Sequence, residues 1–108
     1  MISALPLHIA IERVVDRYGE NVTFVALDGI RATFQHSGPR HSAPELRRRL
    51  DELQSHHVEI VQAMRRAHVS GMGEEGDVQL HKAATVLVRL RSVLAVYRQT
   101  IKAIEEAA

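Results

Sequence analysis

Seven histidines and no cysteine stand in a chain of 108 residues, so a transition-metal site here would have to be built from imidazole and carboxylate. The spacing that best suits one is His68, Asp77 and His81. If the segment from Ser70 to Gly76 turns the chain back on itself, His68 lies opposite Asp77. Asp77 and His81 are four apart on one helix face, and two imidazoles with one carboxylate make a zinc- or iron-type donor set. The same residues have plainer uses. Asp77 can cap a helix, His68 can sit in a last helical turn where a cation meets the carbonyl end of the dipole, and His81 can ride an exposed surface. The plainer uses are favoured, and neither metal nor cofactor is expected.

Arg40, Arg47, Arg48 and Arg49, with His41 beside them, form the only dense basic cluster. A first helical turn is an unfavourable place for cations, at roughly 0.3 to 1 kcal/mol each. The cluster is therefore a candidate surface for phosphates or an acidic macromolecule, unless Glu105 and Glu106 return to neutralise it. His57 lies on an apolar seam between Leu53 and Ile60, where a buried imidazole needs a partner such as His56, Arg91 or its own copy in a dimer. Arg31 and His36 share the spacing of the Arg and His in the ribonuclease motif of helical nucleotidyl-toxin folds, which it resembles in that spacing alone. That motif requires a helical setting near a dimer cleft, and these two residues fall in a segment that reads as strand. Phosphate-loop, nucleophile-elbow and zincin motifs are all missing, so the chain is not expected to be an enzyme.

The elements that would position these residues begin with a heptad over residues 80 to 104. Leu80, Leu87, Leu94 and Ile101 are seven apart, with Ala83, Leu90, Tyr97 and Ile104 between them. A 3.5-residue repeat calls for a partner helix. Leu46, Leu50, Leu53, His57, Ile60, Met64 and Ala67 supply it, in a helix starting near Ala43 with Ser42 as N-cap and Glu45 completing a capping-box spacing. The two form a long antiparallel hairpin, with His57 expected near Leu90 and Leu46 near Ile101. Upstream, Leu7, Ile11, Val14 and Tyr18 mark a short amphipathic helix ended by Gly19. Residues 22 to 35 combine strand formers, Val22 to Val25, with the turn signal Asp28-Gly29, and predict a β-hairpin.

The composition, 45% apolar and 25% charged with 4% aromatic residues and no Trp, suits a soluble bundle with a Leu, Ile, Val and Ala core. A net charge of +1 argues for no polyanion by itself. No apolar run approaches the roughly 20 residues of a membrane span, the first residues lack a signal-peptide pattern, and absent cysteines fit a reducing compartment, so a cytoplasmic protein is expected.

The expected fold is mainly α, one domain over 1–108. Its parts are an N-terminal helix plus β-hairpin in 1–38 and a coiled-coil-like helical hairpin in 43–108. Val86, Val93 and Val96 widen the second long helix beyond what one partner covers. Together with His57 and Tyr97 they point to a homodimer in which two hairpins pair as a four-helix bundle. The function that follows is that of a small non-enzymatic regulator or adaptor that binds another macromolecule, in first place a protein. A nucleic-acid-binding dimer using Arg40 and Arg47 to Arg49 is the alternative, ahead of a histidine-based metal sensor or small nuclease.

Overall fold

Two long helices form the frame of the molecule in a computed structural model that describes residues 5–70 and 73–107. In chain order the elements are α1 (Leu7–Tyr18), α2 (Val22–Ser37), a 3-10 turn (Pro39–His41), α3 (Ala43–Ser70) and α4 (Gly73–Ala107). At 1.5 Å per residue the 35 residues of α4 span about 52 Å, and the longest dimension of the molecule is 51 Å.

The seams read from the sequence are the core of the α3–α4 hairpin. Leu46, Leu53, Ile60, Ala63 and Ala67 of α3 are buried, as are Ala83, Leu87, Leu90, Leu94, Tyr97 and Ile101 of α4. Each large aliphatic side chain removed from water contributes roughly 1.5 to 3 kcal/mol. The expected register holds at the middle, where His57 touches Arg91, the neighbour of Leu90. The turn is tighter than expected: α3 runs to Ser70 and α4 begins at Gly73, so Asp77 lies inside α4 instead of capping it. Residues 71 and 72 of that turn lie outside the described residues.

Helix α1 forms as its periodicity predicts and buries Leu7, Ala10, Ile11 and Val14 against α3 and α4. It ends where Gly19 takes φ 73° and donates its N–H to the Val15 carbonyl at 2.6 Å, a left-handed backbone that glycine adopts without cost from a Cβ. Two ion pairs fix α1 along α3, Arg13 to Glu59 at 3.5 Å and Arg17 to Glu52 at 2.9 Å.

The β-hairpin expected at residues 22 to 35 is absent; the segment is helix α2, and no strand occurs among the described residues. Its buried residues Val22, Ala26, Ile30 and Thr33 step by four, four and three, a helical period that β-branched residues outside it obscure. Asn21 caps it, with Oδ1 accepting from the Phe24 N–H at 3.3 Å. Gly29 is not a turn residue but a close-approach site: a Cβ there would stand 3.1 Å from Arg49 Nη1 and 3.5 Å from Tyr97 Oη. The nearby Tyr97 hydroxyl donates to the Ala26 carbonyl at 2.9 Å in the interior. That bond ties α2 to α4.

Helices α1 and α2 both pack on α4, with Val86 lying beside Ile11 and Val15 of α1. Val93 is fully buried and Val86 packs against the core; Tyr97, also expected on a seam or dimer contact, is 1% exposed. Of the valine stripe, Val96 alone remains substantially open, at 37%. A single chain thus assembles four helices around one cluster of buried side chains.

Ser42 precedes α3 as expected but acts differently. Its buried hydroxyl donates back to the Gly38 carbonyl at 2.6 Å, with the Thr33 carbonyl at 3.4 Å, and so clamps the end of α2 to the start of α3. Glu45 reaches forward to Arg48 and Arg49 instead of closing a capping box.

Candidate interaction surfaces

The basic cluster is largely neutralised within the chain. Arg47 pairs with Glu105, which the antiparallel hairpin brings to the start of α3. Arg48 binds Glu45 at 2.6 Å and lies 3.9 Å from Glu52, and Arg49 Nε is 3.3 Å from Glu45. These contacts hold the Glu45 carboxyl below its ordinary pKa, chiefly through the hydrogen bond from Arg48, and raise Arg48 in turn. Arg40 stands apart, exposed on the 3-10 turn. The unfavourable placement of cations in a first turn is thus answered by carboxylates of α3 and α4.

His68, Asp77 and His81 are all exposed, and among the described residues no group of three His, Asp or Glu side chains is placed to hold a metal ion. Arg31 and His36 do lie on a helix, contrary to the strand expected there, but five residues of α-helix separate them by about 140° around its axis. Both side chains are exposed, and Arg31 lies 4.0 Å from Asp28. They do not converge on one point.

A polar junction that the sequence did not flag joins α1 to α3. The Tyr18 ring meets the His56 ring edge-on at 5.8 Å and 88°. Burial, followed by the Glu52 charge, raises the Tyr18 pKa. His56 Nδ1 and Glu59 Oε2 face each other at 4.0 Å, each buried and without a hydrogen bond among the described residues. The signal was present as Glu52, His56 and Glu59, spaced four and three along one face of α3, but it reads as surface until α1 is placed over it.

Apolar surface is exposed along α2. Phe24 is 65% exposed and Leu27 38%. α2 runs parallel to α4, with Ala26 beside Tyr97 and Phe34 facing Thr100, Ala103 and Ile104 across a hollow of about 490 Å³. Leu27, seven residues before Phe34, and Val96, four before Thr100, share the helix faces of those residues by period.

His57 lies on the opposite side of the hairpin, half-buried, with Nε2 accepting from Arg91 Nε at 3.4 Å. Burial lowers its pKa, and Arg91 and Arg98 add to the effect. A hollow of about 390 Å³ around it is lined by Gln54, His57, Val58, Arg91, Leu94 and Arg98. The partner of His57 is therefore on α4 of its own chain.

Compared with protein-family models, curated proteins and solved structures, the chain matches none. The surfaces themselves carry the functional reading.

Proposed function

We propose that this protein is a non-enzymatic helical adaptor or regulator of the cytoplasm that works by binding protein, and that a second copy of the chain docks on the outer face of α2. The observation that carries this reading is the exposure of Phe24 and Leu27 on a helix whose inner face is already satisfied. An aromatic ring 65% open to water, on the helix whose far end borders an apolar hollow lined by Phe34 and Ala103, is the kind of surface that partners cover. Asp28 and Arg31 on the same outer side supply one charge of each sign, which an antiparallel pairing of two α2 helices brings together across a two-fold axis.

Sedimentation of the wild-type protein is expected to give a dimer at micromolar concentration, and Phe24→Asp with Leu27→Asp a monomer of unchanged helicity. A wild-type monomer at high micromolar concentration overturns the self-association. The nucleic-acid reading is less favoured, because Arg47, Arg48 and Arg49 have carboxylate partners within the chain.

A further inference from the structure

The side of the α3–α4 hairpin turned away from α1 and α2 is a groove that belongs to those two helices alone. Its hollow around His57 adjoins a second, of about 410 Å³, lined by residues including Leu50, Ile101 and Lys102, and the two share Arg98. No described residue of α1 or α2 lines either one. From Arg91 to Glu105 the groove follows α4 for about 21 Å, room for two heptads of another helix. We infer that this groove docks an acidic amphipathic helix of a different protein, apolar residues on its floor and carboxylates against Arg91 and Arg98.

The floor argues for a helix. Leu94 and Ile101 lie at its base, Leu50 is half-buried, and Val58 is 50% exposed at its edge, so an apolar stripe at a and d spacing has a continuous surface to cover. The rim argues for acid. Arg47 and Lys102 have Glu105 and Glu106 as partners, whereas among the described residues Arg91 meets only the imidazole of His57 and Arg98 has no carboxylate within ion-pair reach. Burial lowers the His57 pKa first, and the charges of Arg91 and Arg98 lower it further.

A second copy is a poor occupant, because two-fold pairing over this groove would gather Arg91 and Arg98 of both chains in a desolvated interface, where like charges cost several kcal/mol. A phosphodiester backbone is a poor occupant too. Affinity for a phosphodiester backbone comes chiefly from the number of phosphates neutralised by Lys and Arg, and this groove offers two uncompensated cations above an apolar floor. The inference extends the protein-binding reading to a face separate from α2, so the two stand or fall independently.

The test uses the full chain and two labelled synthetic peptides of three heptads, both with Leu at a and d, one with Glu and the other with Lys at e and g. The Glu peptide is expected to bind, to weaken as salt rises, and to move the His57 imidazole titration upward in NMR, while the Lys peptide binds at least about tenfold more weakly. Arg91→Glu with Arg98→Glu, both exposed positions, should reverse that preference without changing the thermal melt. Phe24→Asp should leave peptide binding intact, which separates this groove from the self-association surface. Equal binding of the two peptides, or no binding of the Glu peptide, overturns the inference. Retention of duplex DNA that is lost in the Arg91→Glu, Arg98→Glu protein, with no peptide preference, overturns it in favour of a polyanion.

Discussion

The two broad faces of the α3–α4 hairpin share one apolar seam but differ in how their charges are met. On the covered face the two α1 arginines that reach α3 each find a carboxylate, Arg13 at Glu59 and Arg17 at Glu52, and a buried hydroxyl from Tyr97 ties down α2. On the open face Arg91 leans on the His57 imidazole, and Arg98 has no carboxylate partner among the described residues. Contacts within a chain place counter-charges where the fold needs them, so cations left over above an apolar floor mark the part of the surface that the fold itself does not explain. The pattern separates what the chain does for its own stability from what it offers to others.

The largest test of that contrast removes one side chain from each face. Tyr97 is the largest fully buried side chain, at 1% exposed, and Tyr97→Ala is expected to cost about 3 to 5 kcal/mol, the usual range for deleting a core aromatic. Val58→Ala on the open face should change stability by no more than about 0.5 kcal/mol. Urea denaturation followed by circular dichroism measures both. Tyr97→Phe divides the larger figure: the hydrogen bond to Ala26 accounts for about 0.5 to 1.5 kcal/mol of it, and packing for the rest. Equal losses at Tyr97 and Val58 would mean that both faces are covered, and the distinction would fail.

Between these extremes lies the element least legible in the sequence. The long seams and α1 could be read directly, because their apolar residues keep a helical period and have Gly19 or Ser42 as punctuation at the ends. α2 could not, since Val22 to Val25 and Asp28-Gly29 are local strand and turn signals. Its helical conformation is enforced by packing against α4, which outweighs propensities of a few tenths of a kcal/mol per residue. The interaction surfaces depend on the same element. A β-hairpin offers no outward helical stripe containing Phe24 and Leu27, and the Arg91–Arg98 pair emerges only once Glu105 is seen to serve Arg47. Sequence clustering singles out Arg40 and Arg47 to Arg49, where charge is dense, but three-dimensional pairing gives Arg47 to Arg49 carboxylate partners and leaves Arg91 and Arg98 without one among the described residues.

Gly29→Ala turns that misreading into a measurement of sign. In a two-residue hairpin turn Gly29 would need positive φ, and alanine would be destabilising. In α2, alanine gains up to about 1 kcal/mol of helix propensity. The contact it creates, 3.1 Å from Arg49 Nη1, is with the end of a flexible side chain that can move aside. The expected outcome is a protein as stable as wild type or more so. A loss would show that Arg49 and Tyr97 hold the α2 crossing too tightly for one methyl group, and that the covered face includes Gly29 as a packing residue.

The smallest expected effect lies at His57, in the groove of the open face. Its pKa is lowered from the ordinary 6.5 by burial and then by Arg91 and Arg98. The unfolded chain therefore takes up the proton more readily than the folded one, and in the pH window below 6.5 the unfolded state carries more bound protons. Stability consequently rises with pH through that window, and the contribution is lost as the medium becomes more acid. His57→Leu removes the titrating group and leaves every other histidine in place. The difference in urea midpoint between neutral and mildly acid buffer should shrink relative to wild type, while at neutral pH the two proteins should agree within about 1 kcal/mol, since leucine suits a seam position beside Leu53 and Ile60. A neutral-pH loss of more than about 2 kcal/mol would mean that the 3.4 Å contact with Arg91 belongs to a cooperative network. The open face would then be organised for folding in the same way as the covered one.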